Sequence, residues 1–327
     1  MKKTFLPCIL IALFFLMLLH SSETMAGALN GLNLWLFTVV PSLLPYMMIS
    51  AFLTENGSFR FLSRFLSPVT KHIFKLSEEC GYVILLGFLC GYPIGSKLSA
   101  DLIKRNEISV REGQILISFC NNVSPAFMIT FLIGGIINIP AFSSMLLTIM
   151  FGVPLLLGIL FSRVSLYLEQ KQTKKNKIDK KTSVLQTAST HIVSPKQNTP
   201  ARNGSFDSCI TSSFENCFRL GGYIILFSIL SEFIRNALTN APFLQNRICA
   251  LLEITSGLNI YSGNACPPYI LLTECPAFTA FGGICCLMQT HSMIKGSGLS
   301  LRLYFFAKLL TGVVTFITCM ILFYFLL

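Results

Sequence analysis

Two stretches of this sequence carry residues of a type and spacing suited to holding a small charged solute. In Gly91-Tyr92-Pro93-Ile94-Gly95-Ser96-Lys97, glycine and proline interrupt apolar sequence, and a lysine sits directly behind the break. In Asn121-Asn122-Val123-Ser124-Pro125, a second polar break falls inside another apolar run. A helix that restarts after such a break exposes its first amide groups, whose partial positive charge suits an anion. The Lys97 ammonium adds to that field. Ser96, Asn121, Asn122 and Ser124 offer hydrogen bonds beside it, and Thr255, Ser256 and Asn259 offer the same from the second half of the chain. With Gly91, Tyr92, Pro93 and Gly95 shaping the backbone, these residues form a candidate carboxylate-binding constellation.

Each of these residues has a plainer reading too. Lys97 can pair with Asp101 one helical turn on, and Asn121 and Asn122 can cap the half-helix that follows them. Neither role excludes solute binding, because ionisable groups inside a membrane are costly and mark pathways. Asp101, Glu232 and Glu253 are the candidates for carrying a coupling proton, although Arg235 is a helical neighbour of Glu232. His291 reads better as a packed or interfacial residue. Nothing resembles a nucleophile elbow, a metal-binding spacing or a phosphate loop, so neither an enzyme nor a cofactor is expected. The glycine-lysine stretch lacks the spacing and strand–helix context of a Walker A loop. The twelve cysteines follow no zinc or disulfide pattern; several lie in apolar runs, where free cysteine behaves as a small hydrophobe.

The elements that must position these groups are membrane elements. Of 327 residues, 53% are hydrophobic and only 12% charged, too apolar for a domain with a water-facing surface. The net charge of +11 does not imply nucleic acid, since the positive residues fall in loops beside apolar spans. Residues 4–20 form an apolar run behind Lys2 and Lys3, read as a retained span or signal anchor rather than a cleaved leader. Residues 31–53 form the next span, with Pro41 and Pro45 inside. Residues 58–77 place Arg60, Arg64, Lys71 and Lys75 at helical spacing among phenylalanines and leucines, the pattern of an amphipathic interfacial helix.

Residues 80–103 are split by the first break into halves of about ten residues, each roughly half a bilayer. They read as a re-entrant hairpin with its tip at 91–96. Residues 113–138 are a span broken at 121–125, and 141–162 a continuous span. Residues 163–212, rich in lysine and then in Ser, Thr, Gln, Asn and Pro, read as a disordered cytoplasmic linker. The second half repeats this order. There is a span at 213–234, an interfacial piece at Pro242–Arg247, and a hairpin with arms at 248–256 and 267–273 around a tip from Asn259 to Asn264. A broken span at 276–294 and a last span at 300–326 follow.

A hairpin adds no crossing, so each half crosses three times and the halves are inverted. With the N-terminus inside, the basic segments face the cytoplasm and only Arg235 and Arg247 face out, in agreement with the positive-inside rule. The expected fold is thus an all-α polytopic membrane protein. It has an N-terminal segment at 1–27, one repeat at 28–162, the linker at 163–212 and an inverted repeat at 213–327.

Gly31-Leu32-Asn33-Leu34-Trp35 with Val40-Pro41-Ser42-Leu43-Leu44-Pro45, Gly91 to Lys97, Phe119-Cys120-Asn121-Asn122-Val123-Ser124-Pro125, Gly221-Gly222-Tyr223, and Leu252-Glu253-Ile254-Thr255-Ser256-Gly257 resemble the YlbJ/SpoVV family of sporulation integral membrane proteins. The likeness runs from about residue 28 to the C-terminus, skipping the linker. It implies two gate (nucleoside-recognition) domains, similar to the halves of concentrative nucleoside transporters. It implies a transporter in the outer forespore membrane of a spore-forming bacterium, moving dipicolinic acid out of the mother cell by alternating access. True nucleoside carriers place acidic and amide side chains at the hairpin tips. Lys97 and small polar residues stand there in this chain, which suits a planar dianion better than a nucleoside.

The expected partners are a small anionic solute, the lipid bilayer and a coupling H+ or Na+. No motif chooses between a monomer and a homo-oligomer. A nucleoside or other small-solute carrier is one alternative. A non-transporting membrane component is another, with helix 58–77 and the linker as its recruiting or gating surfaces.

Overall fold

A computed structural model describes residues 2–182, 206–263 and 266–325. Among them the chain is helical throughout, with no strand. Helix α1 (Lys2–Leu19) leads into α2 (Ser21–Leu34), a π-helical turn at Trp35–Val39, and α3 (Val40–Glu55). Ser21 to Glu55 is thereby one apolar rod of 35 residues, longer than the span expected at 31–53. Gly27 and Gly31, four apart, let α2 lie against α9 (Phe206–Ala237) almost backbone to backbone. A Cβ at either glycine would come within 2.7 Å of a Cα on the partner, Ile229 or Ile225. Small residues four apart are how membrane helices achieve such close packing.

Helix α4 (Phe59–Pro68) and the π-helical Val69–Phe74 form the amphipathic element. Phe59 and Ser63 are buried while Phe61 and Phe65 are about four-fifths exposed, and Lys71 reaches Glu78 at 2.7 Å. Next come α5 (Cys80–Cys90), the break, α6 (Ile94–Lys104), α7 (Val110–Cys120), a second break, and the π-helical Phe127–Ile137. Helix α8 (Ser143–Thr182) closes the first half. Part of the expected linker is therefore helical: residues 163–182 extend α8, and 206–212 open α9. The lysines, glutamate and glutamines there are good helix formers. Residues 183–205 lie outside the described residues.

The second half contains α9, α10 (Pro242–Leu252), α11 (Ile254–Gly263), α12 (Pro268–Phe281), α13 (Gly283–Ile294) and α14 (Leu301–Tyr324). It differs from expectation at its hairpin. The chain breaks at Glu253, inside the segment read as an arm, and Asn259 sits within α11. The apolar and small residues around Glu253 hid its role as a cap. Gly257 then lets α11 fold back onto α10, since a Cβ there would lie 2.3 Å from the Ala250 nitrogen. Asn264, at the end of the expected tip, falls outside the described residues.

Among the described residues five helical stretches are long and apolar enough to cross a bilayer: Ser21–Glu55, Pro140–Lys171, Phe206–Ala237, Pro268–Ile294 and Leu301–Tyr324. Large apolar side chains along them, such as Phe37, Leu156, Phe218, Phe306 and Tyr324, are more than half exposed. A surface of that kind needs lipid rather than water. The protein is an integral, multi-pass membrane protein.

Candidate functional site

Helix breaks converge at the centre of the fold. Gly91 takes φ +83°, a region where only glycine is unstrained. A side chain there would also strike the second break, because its Cβ would lie 2.7 Å from the Ser124 nitrogen. A Cβ at Gly95 would lie 2.9 Å from the Cys120 carbonyl oxygen. The two breaks of the first half are thus locked across each other. The second half repeats the crossing: Gly283, φ +73°, lies against the Leu251 and Leu252 carbonyls just before Glu253. Tyr92 joins the halves, its hydroxyl 3.5 Å from the Ala280 carbonyl.

A small chamber of about 90 Å³ lies at this crossing, lined among others by Gly91, Tyr92, Ser124, Glu253, Thr255 and Gln289. Glu253 is buried, and its carboxylate accepts the amides of Thr255 at 3.0 Å and Ser256 at 2.6 Å. The N-terminus of α11 is therefore filled by the chain's own anion. Behind Tyr92 lies a buried polar network. Asn121 Nδ2 donates to Thr290 Oγ1 (3.0 Å) and to the Tyr304 hydroxyl (2.8 Å). Lys308, on α14 and fully buried, donates from Nζ to Asn122 Oδ1 (2.9 Å) and to the Asn121 carbonyl (3.3 Å). Its Nζ stands 5.0 Å from the centre of the Tyr92 ring.

Two larger cavities contain most of the remaining polar groups. One, of about 650 Å³, is lined by Lys97, Asp101, Lys104 and Arg105 of the first half with Arg219 and Lys295 of the second, and by Glu55. Both of its carboxylates are already engaged: Asp101 with Lys97 Nζ at 2.8 Å, and Glu55 with Arg105. Among the described residues Lys104, Arg219 and Lys295 pair with no carboxylate, so the cavity is strongly positive. The other cavity, of about 710 Å³, is lined by Asn30, Asn33, Ser228, Ser231, Gln245, Ser256 and Asn259, with Glu232 and Arg235. Glu232 is paired with Arg235, leaving this cavity close to neutral. Among the described residues the buried Ser228, Ser231 and Ser256 hydroxyls have no hydrogen-bond partner there.

Residues 36–140, about a third of the chain and holding both breaks of the first half, match the family model of the Gate domain, described as nucleoside recognition. The chain is 27% identical over 340 residues to the sporulation integral membrane protein YlbJ of Bacillus subtilis, across 96% of this chain and 82% of that protein. This chain resembles the gate-domain sporulation membrane proteins. Neither description is that of an enzyme. No solved structure matches the chain.

Against this gate-type frame, the residues singled out in the sequence fall into three places rather than one. Gly91, Tyr92, Ser124, Glu253 and Thr255 meet at the central chamber. Lys97 and Asp101 line the basic cavity, where they form the ion pair weighed above. Ser256, Asn259 and Glu232 line the neutral cavity. Pro93 precedes α6 in a cis peptide bond with Tyr92. Gly95 packs on the second break. Ser96 is buried, its hydroxyl without a partner among the described residues, and Asn121 and Asn122 hold the network around Lys308.

Lys308 itself, with Tyr304 and Thr290, escaped the sequence reading. The signal was present: one lysine well inside the last apolar span, outside the gate-matched segment, where an ionisable group is by default a functional candidate. Among the described residues no group of three His, Cys, Asp or Glu side chains is placed to hold a metal ion.

Proposed function

We propose that this protein is a secondary carrier for a small anionic solute, which it gathers in the basic cavity and passes by alternating access through the central crossing of breaks. The observation that carries this reading is the cavity's charge. Five cations line it against two carboxylates, each already held in an ion pair. A positive cleft with low-dielectric walls concentrates anions and speeds their capture. By the positive-inside rule this cavity opens to the cytoplasm, flanked by α6 and the basic loop after it, and the neutral cavity opens on the far side. The two crossed pairs of breaks would then be inverted copies around the central chamber. The Gly91-to-Ser124 lock would let one unit rock as a body.

The likeness to a sporulation membrane protein favours dipicolinate, a planar dianion, moved from mother cell to forespore. The gate domain's description as nucleoside recognition sets the competing substrate class. The test is uptake of labelled dipicolinate into proteoliposomes holding the purified protein. Saturable uptake, competed by other planar dicarboxylates and not by uridine or adenosine, is expected. Competition by nucleosides alone would transfer the site to them. An absence of uptake with folded protein would remove the carrier reading and turn attention to α4 and the linker as recruiting surfaces.

A further inference from the structure

Lys308 places its Nζ among neutral oxygens, and among the described residues it forms no ion pair. Its Nζ meets the Asn121 main-chain carbonyl at 3.3 Å, the Asn122 Oδ1 at 2.9 Å and the face of Tyr92 at 5.0 Å. Of an ammonium's three donors, two are taken up by these oxygens, and the Tyr92 ring lies within cation–π range. Among the described residues no carboxylate lies within 4.0 Å of it. A buried unpaired charge is expensive, so the fold must offer something in its place. That compensation is the C-terminal end of α7 at Cys120, where the helix stops and its carbonyl end carries partial negative charge. Free carbonyls at the ends of broken membrane helices are where carriers coordinate a coupling cation.

The site is built rather than incidental. Asn121 is fixed from the far side by Thr290 and Tyr304, and Asn122 Nδ2 is tied back to the Phe119 carbonyl. Among the described residues the fully buried Asn121 Oδ1 has no partner, so the break keeps a spare acceptor. A metal ion could not share these oxygens with the ammonium, because like charges at hydrogen-bond distance repel strongly in such a medium.

From this geometry we infer that Lys308 is a tethered cation standing where a carrier of this architecture would bind Na+. The broken helix is held ready by the chain itself, and transport does not require sodium. This rests on the carrier reading above, but it concerns a cation site that can be measured without any solute.

The experiment is thermal unfolding of the full-length purified protein in detergent, in NaCl, choline chloride or methylammonium chloride at equal ionic strength. The wild type is expected to unfold at one temperature in all three. Lys308→Ala is expected to unfold earlier in choline, and to regain several degrees, saturably, with Na+ or methylammonium, as a ligand binding only the folded state must. A saturable sodium-induced rise in the wild type overturns the inference. So does a folded Lys308→Ala indifferent to every cation. If that variant does not fold, the wild-type comparison still decides, together with uptake in which choline replaces sodium: unchanged rates support the tethered cation and a collapse refutes it. A failure to transport any solute would leave the unfolding result readable, so the two proposals fail separately.

Discussion

At the Gly91 break α6 begins at Ile94 behind Pro93, and no side chain caps its amides; at the Glu253 break of the second half, α11 begins at Ile254 and the Glu253 carboxylate sits on its amides. One break depends on a side chain that is missing, at Gly91, where φ is +83°. The other depends on one that is present, at a residue with ordinary extended backbone, φ −143°. A half-helix N-terminus attracts an anion. This chain supplies that anion itself in one half and places Ser96 and Lys97 at the same position in the other. The difference teaches that similar element order need not give similar chemistry. The first half's α6 faces the basic cavity, whereas the N-terminus of α11 in the second half is already satisfied by Glu253.

The largest effect is expected where a present side chain is removed. Glu253→Ala strips two charge-assisted hydrogen bonds from buried amides, each worth about 1.5–3 kcal/mol. It should lower the unfolding temperature more than any other single change at either break. Glu253→Gln keeps an acceptor for one amide and should recover roughly half of that loss. An equal loss in both variants would mean that the negative charge, rather than the cap, is what α11 needs. The complementary change at the first break is Gly91→Ala. Its backbone strain alone should cost about 1–3 kcal/mol, before the clash with Ser124 is counted. Uptake should be abolished even in protein that remains folded, because the two breaks could no longer lie across each other. Normal uptake by a folded Gly91→Ala would show that the crossing is not what moves.

The first break was legible because glycine and proline in an apolar run announce themselves, and backbone freed there must line something. The break at Glu253 was misplaced because Glu253-Ile254-Thr255-Ser256 reads as one short arm. Capping by the residue just before a helix leaves no composition signature when that residue is an acid inside apolar sequence. The long apolar helices, the amphipathic α4 and the short apolar helices α5 and α6 on either side of the first break followed from hydropathy and charge alone. The assembly of the cavities did not. Arg219 and Lys295 come from α9 and the end of α13, far from Lys97 in sequence, and they read as loop-flanking charges until the helices are packed. Lys308 was hidden for the opposite reason: its neighbours are so apolar that the span was read as featureless.

Smaller effects should separate the two partners of the Lys97–Asp101 ion pair that lines α6's cavity. Lys97→Ala removes one of five lining cations and leaves Asp101 unpaired beside the anion's path. The apparent affinity for an anionic solute should fall about tenfold, or roughly 1.4 kcal/mol. Asp101→Asn frees Lys97 and should raise the affinity, with a steeper dependence on ionic strength. If both variants weaken uptake alike, the ion pair is a structural tie and the solute contacts Lys104, Arg219 and Lys295 instead. Titrating labelled-solute binding at several salt concentrations measures both.

The smallest effect lies away from the breaks, where each half ties neighbouring segments together through one glutamate. In the first half Glu112 on α7 accepts the Ser77 amide at 2.8 Å and the Ser109 amide at 2.9 Å, closing a capping box. Burial favours its protonated form, but the hydrogen bonds from Ser109 and Ser77 outweigh burial and hold the pKa below the ordinary glutamate value. A carboxyl whose folded pKa is depressed lends stability that is complete above the unfolded pKa and fades as the pH falls through the folded one. Glu112→Gln should therefore cost about 1 kcal/mol at neutral pH after solvent screening, and little below the carboxylate range, giving a flatter acid limb than the wild type. In the second half Glu274 on α12 accepts from Arg247 Nε at 3.1 Å and from the Tyr261 hydroxyl at 3.0 Å. That tie is ionic, whereas the donors to Glu112 are neutral. High salt should shrink the cost of Glu274→Gln and leave that of Glu112→Gln nearly unchanged. Equal salt dependence would mean that the two halves, different at their breaks, are fastened by the same electrostatics.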